Sequence, residues 1–429
     1  MTTIANRIIG ASVLLYLLIA TASAAHAAPI SDLSAGQAGA IEYTSRTVVF
    51  YDMITKPISS APTITIPGTL TFPAGFSGKV PAMVVSHHCN RITDSVTNMA
   101  AMLNDLGIAT FVPDSYTPRG YPNGVCTAGG TSAVNHGSQT ADALYALKLL
   151  ATHPNIDASR IGIVGQSAGG NPSILSAFEE MRKAVIGDSL KFAAHIGMYP
   201  AICTWHNWSP NMTGAPMLLL LGAADDEMSA TYCAAFATML RAQAKPSPQI
   251  TTIIYPDAPH AWDNPTGSPI YKSGPTNFSK CYGEFRMDTL KSFRYDTGTP
   301  LTDTAGYIAS CTYKGVTEGH YEPAKLASYN DIAIFLAKTF KLTNVALPAS
   351  QPDRIFNYLE AAYPSYLAPA GAASQTSGSY YFRHYPTTNS YIATDGGGQV
   401  YYYAPGSTAS PQPIGGEASW LNTAGQHDF

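Results

Sequence analysis

Apolar residues in this chain fall into short unbroken runs, separated by stretches in which they recur every three to four positions. The runs lie at residues 81–86, 108–113, 160–165, 192–199, 217–222 and 250–255. Strands covered by helices on both faces read this way, so these runs predict a parallel sheet. Helical spacing appears between them at 94–106, 138–150 and 228–242, and a closing helix is predicted at 330–340. Two leading strands are expected at 47–51 and 63–72, with Pro67-Gly68 interrupting the second as a bulge or turn. Strand and helix in alternation predict an α/β fold with a mostly parallel central sheet.

Two regions break this rhythm. Residues 263–321 are long and polar, and a structureless loop of that length is expected only where it is tied down or functional. Residues 342–353 carry Pro348 and Pro352 and read as a linker. Beyond it, 354–362 predicts a short helix, and 380–385, 390–394 and 399–403 predict strands between Gly, Pro and Asn turns. The tail, 354–429, is therefore expected to be a small strand-rich module.

At the other end, Arg7 precedes an apolar run at 8–20 and the small-x-small site Ala25-His26-Ala27. This predicts a signal peptide over 1–27, a secreted or periplasmic protein, and a catalytic domain over 28–341 that includes the 263–321 insertion. No later stretch is apolar and long enough to span a bilayer, so no stable membrane span is expected after processing. Charged residues make up only 12%, the formal net charge is -4, and no basic run occurs. A nucleic-acid partner would find no electrostatic footprint. In an exported chain the six cysteines, Cys89, Cys126, Cys203, Cys233, Cys281 and Cys311, predict three disulfides with the pairing left open. Their spacings suggest no metal site, and no cofactor is expected. Nothing in the sequence sets an oligomeric state.

The sharpest local signal is Gly165-Gln166-Ser167-Ala168-Gly169, directly after one predicted strand and before a helical run. Small residues flank the serine because a tight strand-to-helix turn must lift its hydroxyl above the sheet edge. A serine hydroxyl needs a base, and His260 follows the last predicted strand. The acid that orients the base is expected after the preceding strand, where Gly222-Ala-Ala-Asp225-Asp226-Glu227 offers Asp225. Asp226 is the local alternative, or a cap for the helix beginning near Ser229. Asp257 and Asp263 sit too close to His260 along the chain for the usual orienting geometry. The order Ser167, Asp225, His260 is that of α/β-hydrolases. Oxyanion donors are expected from the backbone N–H groups of Ala168 and Cys89, with His88 the close competitor for the second. His88, Trp205, Trp208 and Trp262 are candidate pocket residues. Arg91 and Arg119 are read either as contacts for a substrate carboxylate or as ordinary salt bridges.

Several segments together resemble the dienelactone hydrolase family of α/β-hydrolases. They are Pro81-Ala-Met-Val-Val-Ser-His-His-Cys89, Val112-Pro-Asp-Ser-Tyr-Thr-Pro-Arg-Gly120 and Gly162-Ile-Val-Gly-Gln-Ser-Ala-Gly-Gly170. Leu220-Leu-Gly-Ala-Ala-Asp-Asp226, Tyr255-Pro-Asp-Ala-Pro-His-Ala-Trp-Asp263 and Gly319-His-Tyr-Glu-Pro-Ala-Lys325 carry the likeness onward. The founding members use a cysteine nucleophile, so Ser167 implies the serine esterase-like, secreted branch. Where the family often has His-Gly before the oxyanion residue, this chain has His88. The resemblance further implies that Cys89 lies near Cys126 and Cys203 near Cys233, leaving Cys281 with Cys311. Residues 355–364, 381–386 and 400–403 resemble a small accessory domain of exported proteobacterial proteins.

The expected activity is hydrolysis of carboxylic esters by an acyl-enzyme mechanism, on a small-molecule or polymer-derived ester, aromatic ones included. An amidase or peptidase with the same triad, and a non-catalytic surface-binding protein, stand as alternatives.

Overall fold

The structure, a computed structural model, describes residues 28–126, 134–187, 190–203, 205–342, 356, 359–360, 363–377, 380–394, 399–403 and 412–416. The expected signal peptide, and the linker beyond its first residue, lie outside these residues. Eight strands build the central sheet. They are β1 (Gly39–Arg46), β2 (Thr63–Thr71), β3 (Val80–Ser86), β4 (Ala109–Pro113), β5 (Ile156–Gln166), β6 (His195–Met198), β8 (Met217–Gly222) and β9 (Ile250–Tyr255), while β7 (Trp205–Trp208) stands outside. Their spatial order is β1-β2-β4-β3-β5-β6-β8-β9. The first two strands run antiparallel to their neighbours and every other pairing is parallel.

Side chains alternate across a strand, so each buried strand feeds two cores. Ala82, Val84, Leu219 and Leu221 join one apolar cluster with α3 (His136–Leu150), α5 (Glu179–Ile186) and α6 (Ala230–Gln243). Met83, Val85, Leu218 and Leu220 join the other with α2 (Asp94–Asp105) and α8 (Glu322–Phe340). This two-sided burial explains why β3, β4 and β8 are continuous apolar runs. Among the described residues no helix is long and apolar enough to cross a membrane.

The start of the domain departs from expectation. The first strand is 39–46, and the segment read as a strand at 47–51 turns instead into α1 (Phe50–Thr55). Phe50, Met53 and Ile54 recur at helical spacing and pack on the first core, a pattern hidden by Val48 and Val49. Pro67-Gly68 makes neither a bulge nor a turn: β1 and β2 pair without a shift from Gly39↔Leu70 to Arg46↔Thr63. Gly68 serves packing, since a Cβ there would lie 2.4 Å from the Phe111 ring.

The insertion is ordered structure. Strand β10 (Ile270–Asn277) pairs with β13 (Tyr313–Glu318), and β11 (Gly283–Arg286) pairs with both β12 (Lys291–Arg294) and β7. Helix α7 (Thr304–Cys311) ends at the Cys281–Cys311 disulfide. Cys89–Cys126 is the second bond. The third expected bond is absent: Cys203 and Cys233 are buried free thiols. Burial pushes the Cys233 thiol up and a hydrogen bond with Cys203 adds to this, so the Cys233 thiol is held protonated. The tail forms its own antiparallel sheet, β14 (Ala373–Ser377), β15 (Tyr380–Tyr385), β16 (Ser390–Thr394), β17 (Gln399–Tyr403) and β18 (Gln412–Gly416). Its Tyr385, Ile392 and Val400 belong to the second core cluster, so it is not packed only on itself.

Candidate active site

Ser167 stands where β5 breaks into a 3₁₀ turn that leads to α4 (Gly170–Leu175). Its φ is +52°, in the left-handed region that costs a non-glycine residue energy. The neighbours make this turn possible by having no side chain. A Cβ on Gly165 would sit 1.9 Å from the Gly169 carbonyl, and one on Gly169 would sit 2.1 Å from the Ser86 carbonyl. Any larger residue at either position would push the elbow off the sheet.

His260 lies on the loop after β9, between Asp257 and Ala261, both at φ +56°. The insertion holds this loop in place: Gly319 N–H donates to the His260 carbonyl (2.8 Å) and Tyr321 N–H to that of Trp262 (2.9 Å). The imidazole then bridges two partners, with Nε2 2.9 Å from Ser167 Oγ and Nδ1 2.8 Å from Asp225 Oδ2. Asp225 is fixed from its other oxygen, which accepts the N–H groups of Glu227 (3.0 Å) and Met228 (2.8 Å). All three side chains are buried or nearly so.

Asp226 neither orients His260 nor caps α6. Its carboxylate accepts Thr317 N–H at 2.8 Å and its carbonyl accepts from Asn277, so it ties the acid loop to the insertion. Asp263 takes hydrogen bonds from Tyr199 and Gln166 behind the histidine. Tyr199, at φ +36°, packs edge-on against the His260 ring. Burial outweighs these hydrogen bonds and holds the Asp263 carboxyl above its usual range.

Ala168 and Cys89 both line one cavity beside Ser167. Ala168 is the second residue of the 3₁₀ turn, where an N–H has no acceptor within the turn. Cys89 follows β3 and is tied to Cys126; its N–H makes no hydrogen bond among the described residues. His88 is turned to Thr93 through Nε2 (2.8 Å), and burial, with His87 and His260 adding, lowers its pKa to about 4. It is therefore neutral at ordinary pH.

Two cavities meet at Ser167. The larger, about 410 Å³, is lined by His88, Asn90, Tyr199, Asn264, Lys272 and Glu318. The smaller, about 280 Å³, is lined by Tyr116, Val125, Val134, Ile202, Trp205 and Phe278. Both include Cys89, Cys126, Ser167 and Glu227. Strand β10 supplies Lys272 to one and Thr276 to the other, so the insertion roofs the site.

Of the candidate pocket residues, His88 and Trp205 line these cavities, and Trp208 and Trp262 do not. Trp262 is fully buried between Tyr199 and Tyr255 and donates to Ser328. Trp208 is buried under the Arg286 guanidinium. Arg119 does not reach the site either: it grips Asp142 in a buried two-point ion pair at 2.7 and 2.9 Å. Arg91 is exposed outside both cavities.

Glu227 is the residue that sequence reasoning passed over. Its carboxylate lies 3.6 Å from His260 Nε2. Burial, partly offset by His260, raises its pKa to about 7. Burial also pulls the His260 pKa down, but Asp225 and then Glu227 outweigh it and raise the imidazole above its usual range. The run Asp225-Asp226-Glu227 offered three acids and no spacing rule to tell their roles apart. Among the described residues no group of three or more His, Cys, Asp or Glu is arranged to hold a metal ion.

Residues 66–277 match the profile of the Dienelactone hydrolase family. No curated protein matches the chain. Among solved structures, a dienelactone hydrolase-like promiscuous phosphotriesterase from metagenomic libraries is 14% identical, covering 70% of this chain and 99% of its own, with a TM-score of 0.40. An acetyl ester-xyloside bifunctional hydrolase from Caldicellulosiruptor lactoaceticus is 19% identical over 46% of this chain and 80% of its own (TM-score 0.35). A thermophilic esterase from Thermogutta terrifontis is 13% identical over 49% and 84% (TM-score 0.35). The mostly parallel sheet with flanking helices is an α/β-hydrolase-like fold, and the match to the dienelactone hydrolase family falls on its core, residues 66–277.

Proposed function

We propose that this chain is an exported serine hydrolase that cleaves carboxylic esters, with Ser167 as nucleophile, His260 as base and Asp225 as the residue that orients it. The observation that carries this reading is the continuous contact from Ser167 Oγ through His260 to Asp225, at 2.9 and 2.8 Å. His260 removes the hydroxyl proton as Oγ attacks the carbonyl, and Asp225 holds Nδ1–H so that Nε2 is free to accept. The N–H groups of Ala168 and Cys89 receive the developing oxyanion. His260 then protonates the leaving alcohol, and water, activated by the same imidazole, releases the acyl group.

The smaller cavity, lined by Tyr116, Trp205 and Phe278, supports aromatic or polymer-derived esters as substrates. Export is supported by the apolar run at 8–20 and by two disulfides, which persist in oxidising compartments. The chain then divides into a signal peptide (1–27), a catalytic domain (28–341), a linker (342–353) and an accessory domain (354–429).

The test is turnover of p-nitrophenyl hexanoate by purified wild type and Ser167→Ala. A loss of about a thousandfold or more in kcat, with an unchanged fold, is expected. Equal turnover by the two proteins overturns the proposal.

A further inference from the structure

The charges that face Ser167 are unbalanced. Glu227 borders both cavities, so a substrate lying on either side of the serine passes its carboxylate. Asp225 stands behind the imidazole, and Asp226 lies in the same loop but is turned to the insertion. From β13, Glu318 adds a further carboxylate to the larger cavity. Against these, the cationic side chain lining the cavities is Lys272 of β10, and it is paired with Glu318. His260 is neutral in the species that reacts, so it adds no compensating charge there. Burial lowers His88 to about 4, which leaves it neutral, His136 accepts the Asn171 amide at Nδ1 (2.6 Å), and burial raises Tyr116 so that it stays a phenol. Arg119, the cation nearest in sequence to the Tyr116 wall, is consumed by Asp142.

We propose that Glu227 is a specificity-determining residue that makes this site discriminate by charge, accepting esters whose acyl or alcohol arm is neutral or cationic and rejecting those that carry a carboxylate. This rests on the reading of Ser167 as an ester-cleaving nucleophile. A substrate carboxylate placed in either cavity lies within several ångströms of Glu227 in a partly desolvated space, where like charges repel strongly. A quaternary ammonium in the same place meets attraction. Glu227 acts on binding in both the ground and transition states, so the effect falls mainly on kcat/KM and KM rather than kcat.

The discrimination has a built-in pH dependence. With its pKa near 7, Glu227 is largely protonated below that value and charged above it. A substrate carboxylate is ionised throughout this range. The ratio of two matched esters cancels the protonation state of His260, since both need the same neutral imidazole, and so reads the charge at Glu227.

The experiment compares p-nitrophenyl hexanoate with the p-nitrophenyl half-ester of adipic acid and with the ω-trimethylammonio hexanoate ester, on the full chain after any processing. In wild type the anionic-to-neutral ratio of kcat/KM should fall about tenfold between about pH 6 and about pH 8.5. The cationic-to-neutral ratio should hold or rise. Glu227→Gln should raise the anionic ratio at the higher pH by about tenfold and flatten its pH dependence, while Glu227→Asp should keep the discrimination. The wild-type ratios test the idea even if a variant fails to fold. A pH-independent ratio in wild type, or an anionic ester preferred at the higher pH, overturns the proposal while leaving the hydrolase reading intact. No turnover of the neutral ester overturns the hydrolase reading and this one with it.

Discussion

Asp225→Asn is the substitution whose effect the geometry fixes most closely. In the native site one carboxylate oxygen accepts His260 Nδ1–H at 2.8 Å while the other accepts two backbone N–H groups at 2.8 and 3.0 Å. An asparagine must choose which end is its carbonyl. Placing the amide NH₂ against two backbone donors would leave all three without acceptors, at a cost of about 1–3 kcal/mol for each buried orphan. The carbonyl therefore stays with Glu227 and Met228, and the NH₂ turns to His260. Facing a donor, Nδ1 must become the acceptor, which moves the imidazole proton to Nε2, the atom that should take the Ser167 proton. The hydrogen bond survives with the wrong tautomer. Loss of the correctly oriented base costs about 10⁴ in kcat, about 5.4 kcal/mol at 1.36 kcal/mol per tenfold. Steady-state hydrolysis of p-nitrophenyl hexanoate measures it, with a urea melt to show that the variant folds. A kcat within tenfold of wild type would refute the assignment of Asp225 as the orienting acid.

Arg119→Met should destabilise the fold by about 3–5 kcal/mol, because Asp142 would be left as a buried, uncompensated carboxylate; a small change on urea unfolding would count against this. Replacing both Cys281 and Cys311 by Ser frees a loop closed over a separation of 30 residues. Its chain entropy is worth about 3–4 kcal/mol, and the melting temperature should fall accordingly. Glu227→Gln should move the acid limb of kcat/KM for the neutral ester to lower pH. Removing a carboxylate that stabilises the imidazolium makes the neutral base available sooner as pH rises. An acid limb that stays put or moves up would show that Glu227 does not act on His260.

The sheet was legible in the sequence because burial on both faces leaves a one-dimensional trace. β3 as far as Val85, and β8 throughout, are apolar, so they could be read without knowing their partners. The elbow was legible for a more local reason: a Cβ on Gly165 would meet the Gly169 carbonyl at 1.9 Å, a contact within the turn itself, although Gly169 in its turn is confined by Ser86 at the end of β3. What resisted reading depends on distant neighbours. Strand β10 is mostly exposed and finds its partner, β13, some forty residues on, so no local pattern marks either one. Trp208 and Trp262 follow strand ends that do point toward the site, yet Arg286 and Ser328, far along the chain, draw them into the interior. Cys203 and Cys233 lie together, as the family resemblance implied, and are unbonded. The role of Glu227 depends on where His260 lands, which the order of residues does not encode.

The most direct test of the account is to treat the folded wild-type protein with a small fluorophosphonate and locate the adduct by peptide mass spectrometry. Stoichiometric phosphonylation of Ser167, with simultaneous loss of ester turnover and no adduct in Ser167→Ala, is the predicted result. Full turnover in protein whose Ser167 stays unmodified, or an inactivating adduct on another residue, would contradict it.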